Sequence, residues 1–97
     1  MTAAGLTKKQ LKQLRGLAHD LDPIVQVGKA GVTDPVVAAV SKALLDHELI
    51  KVRLLEPEDK HGMAEALAER STAALCGLIG HTVILYKKHP KKPRIAV

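Results

Sequence analysis

The chain contains no phenylalanine, no tryptophan and a single tyrosine, Tyr86, so whatever core it builds must be packed from aliphatic side chains. The same deficit limits function. RNA-recognition-motif and cold-shock sheets stack bases on two or three rings of one face, and one tyrosine cannot supply that platform. With 97 residues, 46% of them hydrophobic and 26% charged, there is room for one domain and one core, and neither a disordered nor a fibrous chain fits. The lone cysteine, Cys76, excludes an internal disulfide and fits a reducing compartment. No apolar run is long enough for a signal peptide or a membrane span, so a cytoplasmic protein without a membrane partner is expected.

The hydrophobic periodicity alternates between helix and strand. Leu11, Leu14, Leu17 and Ala18 recur at helical spacing after Thr7, which forms a capping box with Gln10, and this predicts a helix over about 7–19. Asp20, Asp22 and Pro23 end it. A β-branched run over 24–27 reads as a strand. Thr33-Asp34-Pro35 then supplies a cap and a first-turn proline for a helix over about 34–47, with Val36, Val40, Ala43 and Leu44 on one stripe. Residues 49–55 alternate, Ile50, Val52 and Leu54 to one face and Lys51 and Arg53 to the other, as a strand does. Met63, Ala64, Leu67 and Ala68 set the buried stripe of a third helix over about 60–72. Strands over 74–79 and 82–88 follow, turning at Gly80-His81. The run Val83-Ile84-Leu85 is apolar on successive residues and predicts a strand covered on both faces. The order α-β-α-β-α-β-β implies a single α/β domain with a mixed four-stranded sheet over residues 4–88 and a Lys/Pro-rich basic tail over 89–97.

The formal charge of +5 is unevenly distributed. Residues 1–19 hold Lys8, Lys9, Lys12 and Arg15 with no acid; residues 87–97 hold Lys87, Lys88, Lys91, Lys92 and Arg94 with no acid; all ten acids lie between. Lys8, Lys12 and Arg15 recur at spacings of four and three and share a stripe beside the leucines of the first helix. Two basic ends on an acidic body point to a polyanionic partner.

Gly28-Lys29-Ala30-Gly31 lies between a strand and a well-capped helix. Glycines let a backbone approach a phosphate closely, a helix start offers N–H groups and a positive dipole end, and Lys29 adds a mobile charge, the logic of the GxxG loop of KH domains. The spacing is neither a Walker loop nor a dinucleotide fingerprint.

Four ordered stretches carry a resemblance: Leu6-Thr7-Lys8-Lys9-Gln10 to Arg15-Gly16-Leu17-Ala18-His19; Pro23-Ile24-Val25-Gln26-Val27-Gly28-Lys29-Ala30-Gly31; His47-Glu48-Leu49-Ile50-Lys51-Val52; and Ile79-Gly80-His81-Thr82-Val83-Ile84-Leu85-Tyr86-Lys87. Together they resemble the CRM domain, the chloroplast RNA splicing and ribosome maturation domain, in the form of the stand-alone bacterial YhbY-like proteins. The resemblance covers nearly the whole chain. It implies RNA binding, a fold similar to the C-terminal domain of bacterial translation initiation factor three, and association with precursors of the large ribosomal subunit. The family's loop falls on Gly28, Lys29, Ala30 and Gly31 and its basic surface on the neighbouring lysines, whereas the tail beyond Tyr86 does not align and rests on charge alone.

Catalysis and metal binding find no support in the residue pattern. Cys76 and His81 lack a second thiol or carboxylate at ligand spacing, so Cys76 reads as a small buried residue and no metal or cofactor is expected. His19 and His47-Glu48 sit at element junctions and read as helix caps, and Tyr86 as a half-buried strand end. The expectation is a non-catalytic, monomeric RNA-binding protein using Gly28, Lys29, Ala30, Gly31, Lys8, Lys12, Arg15, Lys87 and Lys88, with large-subunit ribosomal RNA or pre-ribosomal particles as partner and no small-molecule substrate. An Alba-like architectural DNA-binding protein is the alternative, and an interaction module docking on an acidic protein a third reading.

Overall fold

In a computed structural model, which describes residues 5–96, each helix begins at a side-chain cap. Thr7 accepts the N–H of Gln10 at 3.1 Å while the Gln10 side chain accepts that of Thr7 at 2.9 Å, the reciprocal box anticipated for α1 (Lys8–Ala18). Thr33 caps α2 (Asp34–His47), with Pro35 in its first turn, and Asp59 caps α3 (Lys60–Arg70) through the N–H of Gly62 at 3.0 Å. The strands are β1 (Pro23–Val27), β2 (Leu49–Leu54), β3 (Ala74–Ile79) and β4 (Thr82–Tyr86). They form one mixed sheet in the order β1-β2-β4-β3. β1 and β2 run parallel through the α2 crossover, and β4 pairs antiparallel with β2 on one side and β3 on the other. The element order and mixed sheet agree with the sequence reading, and boundaries differ by one or two residues. Residue 4, where the domain was expected to begin, and residue 97 lie outside the described residues.

β4 occupies the centre, and its apolar run is explained by cover on both faces. Val83 and Leu85 join a cluster with Val27, Val40, Leu44, Val52 and Leu67 beneath α2 and α3, whereas Ile84 and Tyr86 pack with Leu14, Ala18, Leu49 and Cys76 beneath α1. Each fully buried Leu or Ile contributes roughly 1.5–3 kcal/mol relative to exposure, so a core that is aliphatic apart from Tyr86 and Cys76 gains its stability chiefly from such side chains. Tyr86, at 5% exposure, is core rather than half-buried. Burial first, then the nearby Glu48 and Cys76, raise its phenol pKa. Cys76 is buried as expected; burial pushes its thiol up to about 11 against a smaller opposing effect of Arg15.

Strand β4 ends at Tyr86 rather than Lys88, one residue before a last ladder-like bond from the N–H of Lys87 to the carbonyl of Glu48, at 2.9 Å. Glu48, read from sequence as part of a capping pair, ends α2 with φ +64 and is fully buried. Its carboxylate accepts the backbone N–H groups of His89 at 3.0 Å and Ile95 at 3.2 Å, and that of Arg94. Burial alone would raise the carboxyl pKa; these three N–H donors outweigh it and hold the group below its usual 4.5. A left-handed φ on a non-glycine residue costs on the order of 1 kcal/mol, and it persists here because so many long-range bonds fix Glu48 in place. The Lys/Pro-rich tail is thereby folded against the domain: Ile95 packs under α1, and the Gln13 amide donates to the carbonyl of Ala96 at 2.9 Å.

Candidate nucleic-acid interface

Helix α1 covers only part of its sheet face. Strand register divides that face into rows. Leu49, Tyr86 and Ala74 form one row and Lys51, Ile84 and Gly77 the next, and both lie beneath or beside α1. The third row, Gln26, Arg53, Thr82 and Ile79, runs across all four strands beyond the helix. Gln26 and Arg53 are exposed and Ile79 is 63% exposed. Alternation assigns these residues to this face, because Val25, Val27, Val52, Leu54, Leu78 and Val83 all point to the α2/α3 side.

Arg15 links α1 to the open row. Its Nη1 donates to the carbonyl of Cys76 at 3.0 Å, and its stem lies on Gly77, where a Cβ would sit 2.9 Å from the Arg15 Cδ. Gly77 is thus the gap in β3 that lets an arginine lie flat on the sheet. Lys8 and Lys12 continue the same helical stripe, exposed along α1.

The loop after β1 adjoins the far end of the row. Gly31 donates to the carbonyl of Gly28 at 3.0 Å and takes φ +78, which favours glycine. Gly28 has no positive φ, and a Cβ there would meet no atom within 4 Å, so nothing in the protein itself requires glycine at that position. Among the described residues, the amides of Lys29 and Ala30 take no backbone carbonyl. A cleft of about 460 Å³ joins the loop to neighbouring elements, lined by Gly28, Lys29, Arg53, Leu55, Glu56 and His81. The hairpin turn at Gly80 (φ +59) brings His81 there, its carbonyl accepting the N–H of Leu54 at 2.8 Å. The cleft therefore sits at the carboxyl ends of the parallel pair β1 and β2, a common ligand position in α/β sheets.

The start of α2, expected to share in anion binding, is largely occupied. Pro35 has no N–H, the N–H of Val36 goes to the Thr33 hydroxyl, and Asp34 places a carboxylate there, held by Arg70. The loop amides of Lys29 and Ala30 are not so occupied by backbone acceptors among the described residues.

The sequence-predicted residues fall into two groups. Gly28, Lys29, Ala30 and Gly31 lie at one end of the sheet; Lys87 and Lys88 lie at the other, a strand length of roughly 15 Å away. Lys8, Lys12 and Arg15 run along α1 between these ends. Lys87 donates its ammonium to the carbonyl of Ser71 at the end of α3, at 3.3 Å. Similar bonds occupy Lys51 on His19 after α1, at 3.1 Å, and Arg94 on Asp46 near the end of α2. Three bases thus satisfy helix C-termini. Lys88 lines a second cleft of about 640 Å³ with Gly5, Leu6, Thr72, Tyr86 and Arg94. Gln26, Arg53, Thr82, Ile79 and His81, which share the open row or its adjoining cleft, were not singled out from sequence; the alternation of β2 had already set Arg53 opposite the core face, but its neighbours depend on strand order. Among the described residues no group of three His, Cys, Asp or Glu side chains is placed to hold a metal, and no helix is long and apolar enough to cross a membrane.

Comparison with known proteins agrees with this architecture. The chain is 46% identical over 92 residues to the Bacillus subtilis protein named Probable RNA-binding protein YqeI, covering 93% of this chain and 96% of that one. It is 39% identical over 88 residues to Probable RNA-binding protein PA4753 of Pseudomonas aeruginosa, covering 89% and 85%. The solution structure of the Staphylococcus aureus hypothetical protein SAV1595 superposes with a TM-score of 0.78 at 37% identity, over 94% of this chain and 99% of that one. A family model, the CRS1 / YhbY (CRM) domain, matches residues 6–87. The chain belongs to the CRS1 / YhbY (CRM) domain family.

Proposed function

We propose that this protein binds structured ribosomal RNA, without catalysis, during assembly of the large ribosomal subunit. The observation that carries the reading is the charge of one face. Helix α1 and the sheet face on which it packs hold Lys8, Lys9, Lys12, Arg15, Lys51 and, beyond the helix, Arg53, and no acid, while α2 and α3 hold Asp34, Asp46, Glu65 and Glu69 among their bases. A one-sided basic surface ending at a glycine loop suits a phosphate backbone tracked along α1 to Lys29. The glycine at position 28, required by neither conformation nor packing, supports a ligand that approaches the backbone closely. The relatives' names support RNA as the polyanion, and the family resemblance supports the ribosomal partner.

In this mechanism a phosphate sits on the amides of Lys29 and Ala30, the Lys29 ammonium neutralises it, and Lys12 and Arg15 hold the neighbouring phosphates. Such contacts position the protein on its RNA without reading sequence. If about four to six phosphates are neutralised, the log–log dependence of affinity on salt has a slope on the order of −3 to −5, and a salt-insensitive affinity overturns the mechanism. Lys29→Glu is the clean loop variant, because Gly31→Asp would place a side chain at φ +78 and disturb the turn itself. In cells, sedimentation of the protein with large-subunit precursors, lost at high salt, tests the assembly role; sedimentation independent of ribonuclease contradicts it.

A further inference from the structure

Phosphate contacts leave the third sheet row unused. Gln26, Arg53, Thr82 and Ile79 lie side by side on four strands, across three inter-strand gaps of about 4.8 Å each, beside the loop proposed to hold a phosphate. We infer that this row holds unpaired bases of the same RNA strand, so that the protein selects single-stranded nucleotides next to its phosphate track. The inference rests on the RNA-binding reading above and adds the base-contacting residues to it.

The row has the chemistry that base contact requires. An unstacked base needs a flat or apolar surface below it and hydrogen-bonding groups at its edge. The tyrosine is buried and the chain has no Phe or Trp, so the row itself offers the Arg53 guanidinium plane and the Ile79 side chain, 63% exposed, with the exposed His81 imidazole at the adjoining cleft. Arginine planes stack on bases as aromatic rings do. Each surface has a neutral polar neighbour in register: Gln26, with an amide donor and acceptor, beside Arg53, and Thr82, with a hydroxyl, beside Ile79. No carboxylate belongs to the row. Glu56 is the acid that lines the adjoining cleft, where Lys29 and Arg53 also face it. Arg15, flat on Gly77 in the preceding row, borders the Ile79 end. The charge pattern therefore accepts a polyanion and the row itself is neutral at the base edges, which distinguishes it from a surface that only tracks phosphates.

A duplex would bind differently. Its bases are stacked away from a sheet surface, so it can use the phosphate track alone.

The test uses the full chain with single-stranded RNA oligonucleotides of one length, each of a single base type, and an RNA duplex of matching length, all at one salt concentration. The wild type is expected to bind at least one single strand about fivefold or more tightly than the duplex and to rank the four bases. Gln26→Ala and Thr82→Val should compress that ranking to within about twofold with an unchanged salt slope, and Ile79→Ser should weaken single strands several-fold while sparing the duplex. Lys29→Ala should weaken every RNA together and reduce the salt slope by about one. Gln26 and Ile79 are exposed and Thr82→Val keeps its shape, so circular dichroism melts should match the wild type. Equal binding of all single strands and the duplex, or row variants without effect, overturns the base row and leaves the phosphate track standing. A wild type that binds none of these RNAs overturns the RNA reading and the row together.

Discussion

The two faces of the sheet solve different problems. Under α2 and α3, twelve buried residues form a continuous aliphatic cluster, and the helices above carry acids and bases in near balance. Under α1 the buried cluster has six members, Tyr86 and Cys76 among them, and the helix above carries four bases and no acid. One helix cannot cover a four-stranded face, so a row of strand residues is left in solvent. The larger core stabilises the domain sufficiently that the smaller face can stay open and carry self-repelling charge, which is a usable arrangement for a polyanion partner.

The largest effect that would sharpen this contrast is on stability. Leu67→Ala, in the larger cluster, should cost about 3 kcal/mol in urea unfolding without altering the RNA affinity of the folded protein, whereas Leu17→Ala on α1, 49% exposed, should cost under about 1 kcal/mol. Equal losses would contradict the division. A second measurement probes whether α1 stays seated. With its pKa raised from 9.0 to about 11, the Cys76 thiol should react with an alkylating reagent roughly a hundredfold more slowly at neutral pH in the folded protein than in urea; reaction at the unfolded rate would mean that α1 lifts off the sheet.

The tail joins the two faces and gives a pH test. Glu48→Gln should destabilise the protein by about 2 kcal/mol and expose the tail to limited proteolysis, since a neutral amide cannot accept three N–H groups as a carboxylate does. The folded-state pKa of Glu48 lies below 4.5, so its contribution is complete above that pH and is lost as pH falls through the lower folded value. The stability difference between wild type and Glu48→Gln should therefore shrink under acid and not under alkali; a difference that stays constant on acidification would show that the carboxylate charge is not what holds the tail. The smallest effect separates the surfaces directly. Lys12→Glu should weaken RNA binding about tenfold, or 1.4 kcal/mol, whereas Lys42→Glu on α2, where Lys42 already pairs with Asp46 at 3.1 Å, should change it less than twofold. Similar losses would make the basic face a general charge effect.

Local chemistry was legible from sequence wherever the interacting groups are neighbours in the chain. Thr7 with Gln10, Thr33 as the cap of the second helix, the Gly80-His81 turn and the two-sided burial of Val83-Ile84-Leu85 all follow from spacing and propensity, and the structure agrees at each. The loop was legible as a motif, whereas the occupancy of the α2 start by Pro35, Thr33 and Asp34 showed only in the structure. Lys87 was grouped with the loop by charge, yet it lies at the far end of the sheet and serves the end of α3.

What the sequence by itself determined is the set of elements, their buried stripes and the uneven charge, because helix and strand periodicities are short-range properties of the chain. What only the tertiary structure decided is adjacency. Strand order β1-β2-β4-β3 puts Arg53 between Gln26 and Thr82, and the buried Glu48 accepts the N–H of Arg94, 46 residues away, in a part-buried bond. Neither pairing leaves a local signal, since strand order and the burial of a charge follow from how the whole chain closes its core and satisfies its polar groups.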